Sequence, residues 1–180
     1  MIKICYDFNM YRLKVLFISS RPGGTEVVNT YCLDYPDMSL DLALAEDLEV
    51  FMTDKYLRPL GINTESEQDT KALRCLRDSQ AGVREELRHS DTAHIMYKNW
   101  YLEITEEYPL ARFEKLFEPI LYRNDRFLIE CMGKAGIDLD DVTEIRLTGS
   151  ECEYAFVRRH LEEMFGRECT YKNKTPNKTL

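Results

Sequence analysis

Leu13-Lys14-Val15-Leu16-Phe17-Ile18-Ser19-Ser20 runs directly into Arg21-Pro22-Gly23-Gly24. The first eight residues are apolar and β-prone, and the last four are a strong turn signal. A strand therefore ends near Ser20. Ahead of it residues 2–6 form a second β-prone run, separated from it by Asp7-Phe8-Asn9-Met10-Tyr11-Arg12. Behind it residues 26–33 resume as a third. Three such runs with short connections read as an antiparallel meander.

The character of the chain then changes. Asp37 or Ser39 can cap a helix that runs to about residue 56, with Leu40, Leu44, Leu48, Phe51 and Met52 on one face. Pro59-Leu60-Gly61 ends it. A second helix is expected over about 66–88, striped by Leu73, Leu76, Val83 and Leu87. Arg74, Arg77, Arg84 and Arg88 decorate its other faces, as on a solvated surface. Residues 93–97 and 100–104 read as a hairpin around Lys98-Asn99. A third helix spans about 110–134 and stops at Gly136, and Pro119 is expected to bend it. Residues 142–148 form a strand ending in Gly149-Ser150, and 154–165 an amphipathic helix closed by Gly166. The tail, 171–180, is polar and unpatterned. The order is meander, two helices, hairpin, helix, strand, helix. That is an α+β (mixed α/β) fold with a mixed sheet, not a βαβ array. The expected core is Phe113, Leu116, Ile120, Leu128, Ile145, Leu147, Val157 and Leu161, which recur at helical or strand periods.

Composition narrows the function. The chain has 180 residues, 24 basic against 32 acidic, for a net charge of −8, and 44% of it is hydrophobic. Such a chain can bury a core, and its length suits one domain or two small subdomains. The acidic balance argues against nucleic-acid binding and against an anionic membrane surface. No window approaches a membrane span, and the first residues lack a signal-peptide layout because Asp7 interrupts them. Six cysteines, at 5, 32, 75, 131, 152 and 169, include no C-x-x-C pair. The expectation is reduced, mostly buried thiols in a cytoplasmic protein, with no structural metal.

The C-terminal third carries a resemblance. Arg112-Phe113-Glu114-Lys115-Leu116-Phe117-Glu118-Pro119-Ile120-Leu121-Tyr122-Arg123 resembles the R-x-F-E-x-L-x-x-P-L-x-x-R of the 70-kilodalton heat-shock chaperones, the DnaK family. Lys134-Ala135-Gly136-Ile137, Ile145-Arg146-Leu147-Thr148-Gly149, Phe165-Gly166-Arg167-Glu168 and Thr175-Pro176-Asn177 are similar to that family's D-A-G-L, I-x-L-V-G, F-G-K-E and N-P-D, in the same order. Upstream, Tyr6-Asp7-Phe8 sits where the family has F-D-L-G-G-G-T, and Ala45-Glu46-Asp47 where it has G-G-E-D. The resemblance implies the second lobe of an actin-like ATPase domain, ribonuclease H-like, with an inserted helical subdomain. Residues 1–38 would form the meander of the lobe, 39–108 the helical and hairpin insertion, and 109–180 the return. The first lobe and a substrate-binding domain have no counterpart in these 180 residues.

The same resemblance implies ATP or ADP as cofactor, with Mg²⁺ only alongside bound nucleotide, and assistance to protein folding. Its candidate site residues are Asp7, Glu46, Arg84, Arg88, Gly149 and Ser150. Asp7 reads either as a carboxylate near a metal and water shell or as a turn residue. Glu46 matches the glutamate that bridges the family's lobes, or is an exposed helix carboxylate. Arg84 stands where a lysine packs on adenine, and its guanidinium could stack as well. Gly149 could admit a purine or ribose, or simply turn the chain. Asn9, Met10, Tyr11 and Arg12 replace the three glycines and the threonine of the phosphate loop. Backbone N–H groups cradle phosphate where side chains are missing, so this loop is expected to be degenerate and hydrolysis lost. Partners implied are co-chaperones, exchange factors or a missing first lobe. The alternative reading is a non-catalytic interaction module, a pseudo-ATPase whose helical insertion docks other proteins.

Overall fold

The computed structural model describes residues 1–35, 40–62 and 64–171. Their contacts divide the chain into two compact units. One comprises Met1–Met38 with Pro119–Leu180, and the other Ser39–Glu118.

The first unit is built on a five-stranded sheet. β1 (Ile2–Asn9), β2 (Arg12–Arg21) and β3 (Gly24–Asp34) form the antiparallel meander. β6 (Val142–Thr148) lies parallel to β1, and β7 (Cys169–Tyr171) parallel to β6, giving the order β3-β2-β1-β6-β7. Alternation explains the sheet. Ile4, Tyr6 and Phe8 on β1, Leu13, Val15 and Phe17 on β2, and Ile145 and Leu147 on β6 are all buried at 2% exposure or less. One face of each strand thus enters the core while its neighbours stay half-exposed. Asp7 and Phe8 continue β1 to Asn9, so only the two-residue turn Met10-Tyr11 separates β1 from β2, where a six-residue connection is expected from sequence. Phe8 is the reason: it falls on the buried face. β7 extends the sheet into what reads as an unpatterned tail; the rest of that tail lies outside the described residues.

α4 (Leu110–Ala135) and α5 (Ala155–Phe165) complete the picture, α4 contributing to this unit from Pro119 onward. Ile120, Leu128, Val157 and Leu161 are buried as expected. A polar thread crosses this core. Tyr35 donates its hydroxyl hydrogen to Asn124 Oδ1, and Asn124 Nδ2 donates to Tyr6 Oη at 2.9 Å. Asn124 is fully buried, so the thread satisfies an amide that would otherwise destabilise the core.

The second unit holds α1 (Leu40–Met52) followed by a π-helical turn (Thr53–Leu57), α2 (Glu67–Asp78), α3 (Gln80–Leu87), the hairpin β4 (Thr92–Lys98) and β5 (Glu103–Pro109), and the start of α4. Asp37 and Ser39, read as caps for α1, lie outside the described residues. Ser66 does cap α2, accepting from Asp69 N–H at 3.1 Å. The single helix expected over 66–88 is two. Ser79 donates its hydroxyl to the Leu76 carbonyl at 2.6 Å and takes the place of an intrahelical donor there. The hairpin is present, but its tip is 99–102, so Trp100 and Tyr101 lie in the turn and not in β5.

Two packing expectations are corrected. Leu116 is only half-buried; Phe117 is fully buried in its stead and meets Phe113 edge-on at 5.3 Å. The thiols are also less buried than expected. Cys131, Cys152 and Cys169 are enclosed, Cys5 is intermediate, and Cys32 and Cys75 are exposed.

Candidate functional site

Parallel pairing of β1 with β6 sets Asp7 opposite Thr148, and so beside Gly149. Gly149 has φ +95°, in the region that favours glycine. A Cβ there would lie 2.3 Å from the Phe8 carbonyl oxygen and 2.8 Å from Asp7 Oδ1. The glycine is therefore required for the close approach of the two strand ends. Ser150 opens a 3₁₀ turn, Ser150–Glu153, and donates to Glu151 Oε1 at 3.1 Å. Glu151 is 1% exposed, a buried carboxylate that sequence reading passes over. Beside it burial pushes the Cys152 thiol far up, and its Sγ lies 3.8 Å from the Tyr6 carbonyl oxygen. Asp7, Gly149 and Ser150 are thus one cluster at the C-terminal ends of two parallel strands, where open α/β sheets present ligand-binding loops.

The loop that would face a phosphate is the β1–β2 turn. Asn9 pairs across the ladder with Arg12. Asn9 Nδ2 donates to Asp7 Oδ1 at 3.2 Å, and the Arg12 guanidinium donates to Asp34 at 2.5 Å. Met10 and Tyr11 form the turn, and the Tyr11 carbonyl accepts from Tyr35 N–H at 2.9 Å.

Glu46, Arg84 and Arg88 belong to the helical unit. Glu46 is exposed on α1. Arg84 departs from the solvated face expected of it. It is 4% exposed, and its guanidinium donates to Asp41 Oδ1 at 2.5 Å, tying α3 to α1. Arg88 donates to Glu85 Oε2 at 2.6 Å from the C-terminal end of α3. Neighbouring Asp47 has a firmer role than Glu46. Arg112 grips it with two hydrogen bonds of 2.6 and 2.8 Å, and Tyr108 donates its hydroxyl to it at 2.5 Å. Both residues sit in motifs quoted above, so sequence located them; their pairing, 65 positions apart, carries no local signal. Among the described residues no three His, Cys, Asp or Glu side chains gather as a metal-binding set.

A mixed β-meander sheet with two parallel strands added, interrupted by a helical insertion, defines an actin-like ATPase lobe. The profile of the Hsp70 protein family matches residues 40–177. A chaperone protein HscA homolog of Mannheimia succiniciproducens is 29% identical over 132 residues, 71% of this chain and 20% of that protein. The chaperone proteins HscA of Cronobacter sakazakii and Escherichia coli are 27% and 25% identical over 122 residues, 68% of this chain and 19% of each. The chain belongs to the Hsp70 family, and it spans about a fifth of the length of these relatives. No helix among the described residues is long and apolar enough to cross a membrane.

Proposed function

We propose that this chain is a divergent chaperone ATPase-domain lobe that does not hydrolyse ATP by itself and assists protein folding through contacts with other proteins. One observation carries the reading: the β1–β2 turn is closed by the Asn9–Arg12 pair and committed to Asp7 and Asp34. Phosphoryl transfer depends on positioning and charge stabilisation by such a loop and a metal. A phosphate cradle needs bare backbone N–H groups, and Asn9, Met10 and Tyr11 carry side chains in place of glycines, so the residues present do not fit triphosphate and no hydrolytic step is assigned to them.

The adenosine end is a better match. In the sheet unit Gly149 lets the end of β6 approach Asp7 closely, and Ser150 beside it adds a hydroxyl for a ribose. In the helical unit Arg84 is committed to Asp41 and Arg88 to Glu85, and Glu46 is an exposed carboxylate. Partners of this lobe are co-chaperones, exchange factors or the family's first lobe. Incubation of the purified chain with ATP and Mg²⁺ is expected to release no phosphate above buffer. Magnesium-dependent release abolished by Asp7→Asn would refute the reading. In calorimetry, adenosine should bind no more weakly than ATP.

A further inference from the structure

We propose that the open edge of β3 pairs antiparallel with β3 of a second copy of this chain, about a two-fold axis at Cys32. The inference rests on no reading of the nucleotide site. β3 is an outer strand of the five-stranded sheet and pairs, among the described residues, with β2 alone. It runs for eleven residues, and a long open edge is a template for another strand.

The ladder shows which backbone groups that edge presents. Tyr35 N–H donates to the Tyr11 carbonyl at 2.9 Å, which places 11 and 35 in a hydrogen-bonded pair. Alternation along β2 and β3 assigns Leu13–Leu33, Val15–Tyr31 and Phe17–Asn29 to the same bonded class. The far side of β2 agrees. Ser20 N–H donates to the Met1 carbonyl at 3.1 Å, so Arg12, Lys14, Leu16 and Ile18 bond toward β1. Thr30, Cys32 and Asp34 therefore direct their N–H and C=O groups away from β2, and all three residues are exposed.

The usual guards of an edge are missing from this stretch. Edges are blunted by Lys, Pro, inward-pointing charge or a bulge. β3 has a bulge at Val28, since Phe17 faces Asn29 and Ile18 faces Val27. From Asn29 to Asp34 the register is regular, with neither Lys nor Pro, and its one charge, Asp34, is held by Arg12 at 2.5 Å.

Self-complementarity selects the occupant. With the axis at Cys32, the bonded pairs are Cys32 with Cys32, and Thr30 with Asp34 of the second copy, in both directions. Every outward group of the three residues meets its counterpart, and the Thr30 hydroxyl faces a carboxylate to which it can donate. Tyr31 and Leu33 are half-exposed where the core-facing row runs out at the edge. They fall opposite each other across the axis, so Tyr31, already edge-on to Phe17 at 5.9 Å, gains an apolar neighbour. An axis at Thr30 would instead draw in the bulge and set Glu26 against Asp34.

The test uses the reduced full chain carrying Cys75→Ser, which leaves Cys32 as the exposed thiol among the described residues. A hydrogen-bonded pair sets the two Cys32 Cα atoms about 5.5 Å apart, with both thiols on one face. A short bismaleimide should then yield a crosslinked dimer that grows with protein concentration. Thr30→Asp, an exposed change that opposes two pairs of carboxylates, should weaken association about tenfold in sedimentation equilibrium. Thr30→Pro removes an outward N–H, leaves the β2 ladder whole, and should abolish the crosslink although Cys32 remains. As the parent is concentrated, the amides of Thr30, Cys32 and Asp34 should gain protection from hydrogen exchange, whereas those of Tyr31 and Leu33 are protected throughout. A monomer at millimolar concentration, a dimer that both Thr30 variants leave intact, or protection gained only outside residues 30–34 would each overturn the proposal.

Discussion

Arg84 on α3 is enclosed to 4% exposure, with Asp41 as its ion-pair partner. Asp41 keeps 27% of its side chain in water, so losing the guanidinium leaves a carboxylate only partly stranded. Arg84→Ala should therefore cost about 3 kcal/mol, the low end for breaking a buried pair; urea unfolding measures it, and a loss under half a kcal/mol would mean the pair contributes nothing. The apolar core offers a sharper contrast. Leu147 is fully buried on β6, and truncation to Ala should cost about 2–5 kcal/mol. Leu116 is half-buried, so Leu116→Ala should cost clearly less than Leu147→Ala in the same titration. Periodicity allowed both 113–116–120 and 113–117–120 as the buried ridge of α4, since steps of three and four are both helical. Only the partner surfaces decide between them, and they are not local. Arg84 was illegible for the same reason: helical spacing gives its face, but not that α1 brings Asp41 to that face.

Between elements, His160 on α5 reaches Asp125 on α4, with Nε2 at 2.9 and 3.0 Å from the two carboxylate oxygens. Asp125 holds the imidazole proton, raising His160 above its ordinary 6.5 against the opposing effect of burial, and Glu163 on α5 adds to the rise. The sign follows from linkage. The group binds its proton more tightly folded than unfolded, so its stabilisation is complete below about pH 6.5 and fades as pH rises through the higher folded value. His160→Gln should lower the melting temperature relative to the parent at pH 6, and the gap should shrink by pH 9. A gap that is constant with pH would assign the contact to packing alone. Helix α5 itself was plain in sequence from its stripe and from Gly166, which caps it at φ +61°. What sequence withheld was the break at Ser79 and the shift of the hairpin. Both are set by side chains that compete for backbone groups, Ser79 Oγ at the Leu76 carbonyl and Asn99 at the turn, and propensity sums do not see such competition.

At the scale of the whole molecule the two units differ in how far apart in sequence their contacts lie. Ser39–Glu118 is one continuous stretch, and its hairpin pairs Lys98 with Glu103 across a four-residue turn. The other unit is made of two segments, and its sheet closes only when β1 meets β6, Tyr6 with Leu147. Joining strands 141 positions apart requires closing a long loop before any ladder bond forms, and each doubling of loop length adds about 0.6 kcal/mol to that cost. Local contacts carry little of this burden and form fast. Once the intervening stretch is compact, the effective loop between β1 and β6 shortens and its closure becomes cheaper. The helical unit is therefore expected to fold first and the β1–β6 ladder last. Pulsed hydrogen exchange during refolding resolves the order. Amides of Ile95 and Tyr97 on β4 should gain protection in an early phase, and those of Ile4, Tyr6 and Leu147 in a later one. Protection of all five in a single phase, or of Tyr6 and Leu147 first, would mean that the sheet nucleates folding despite its long loop.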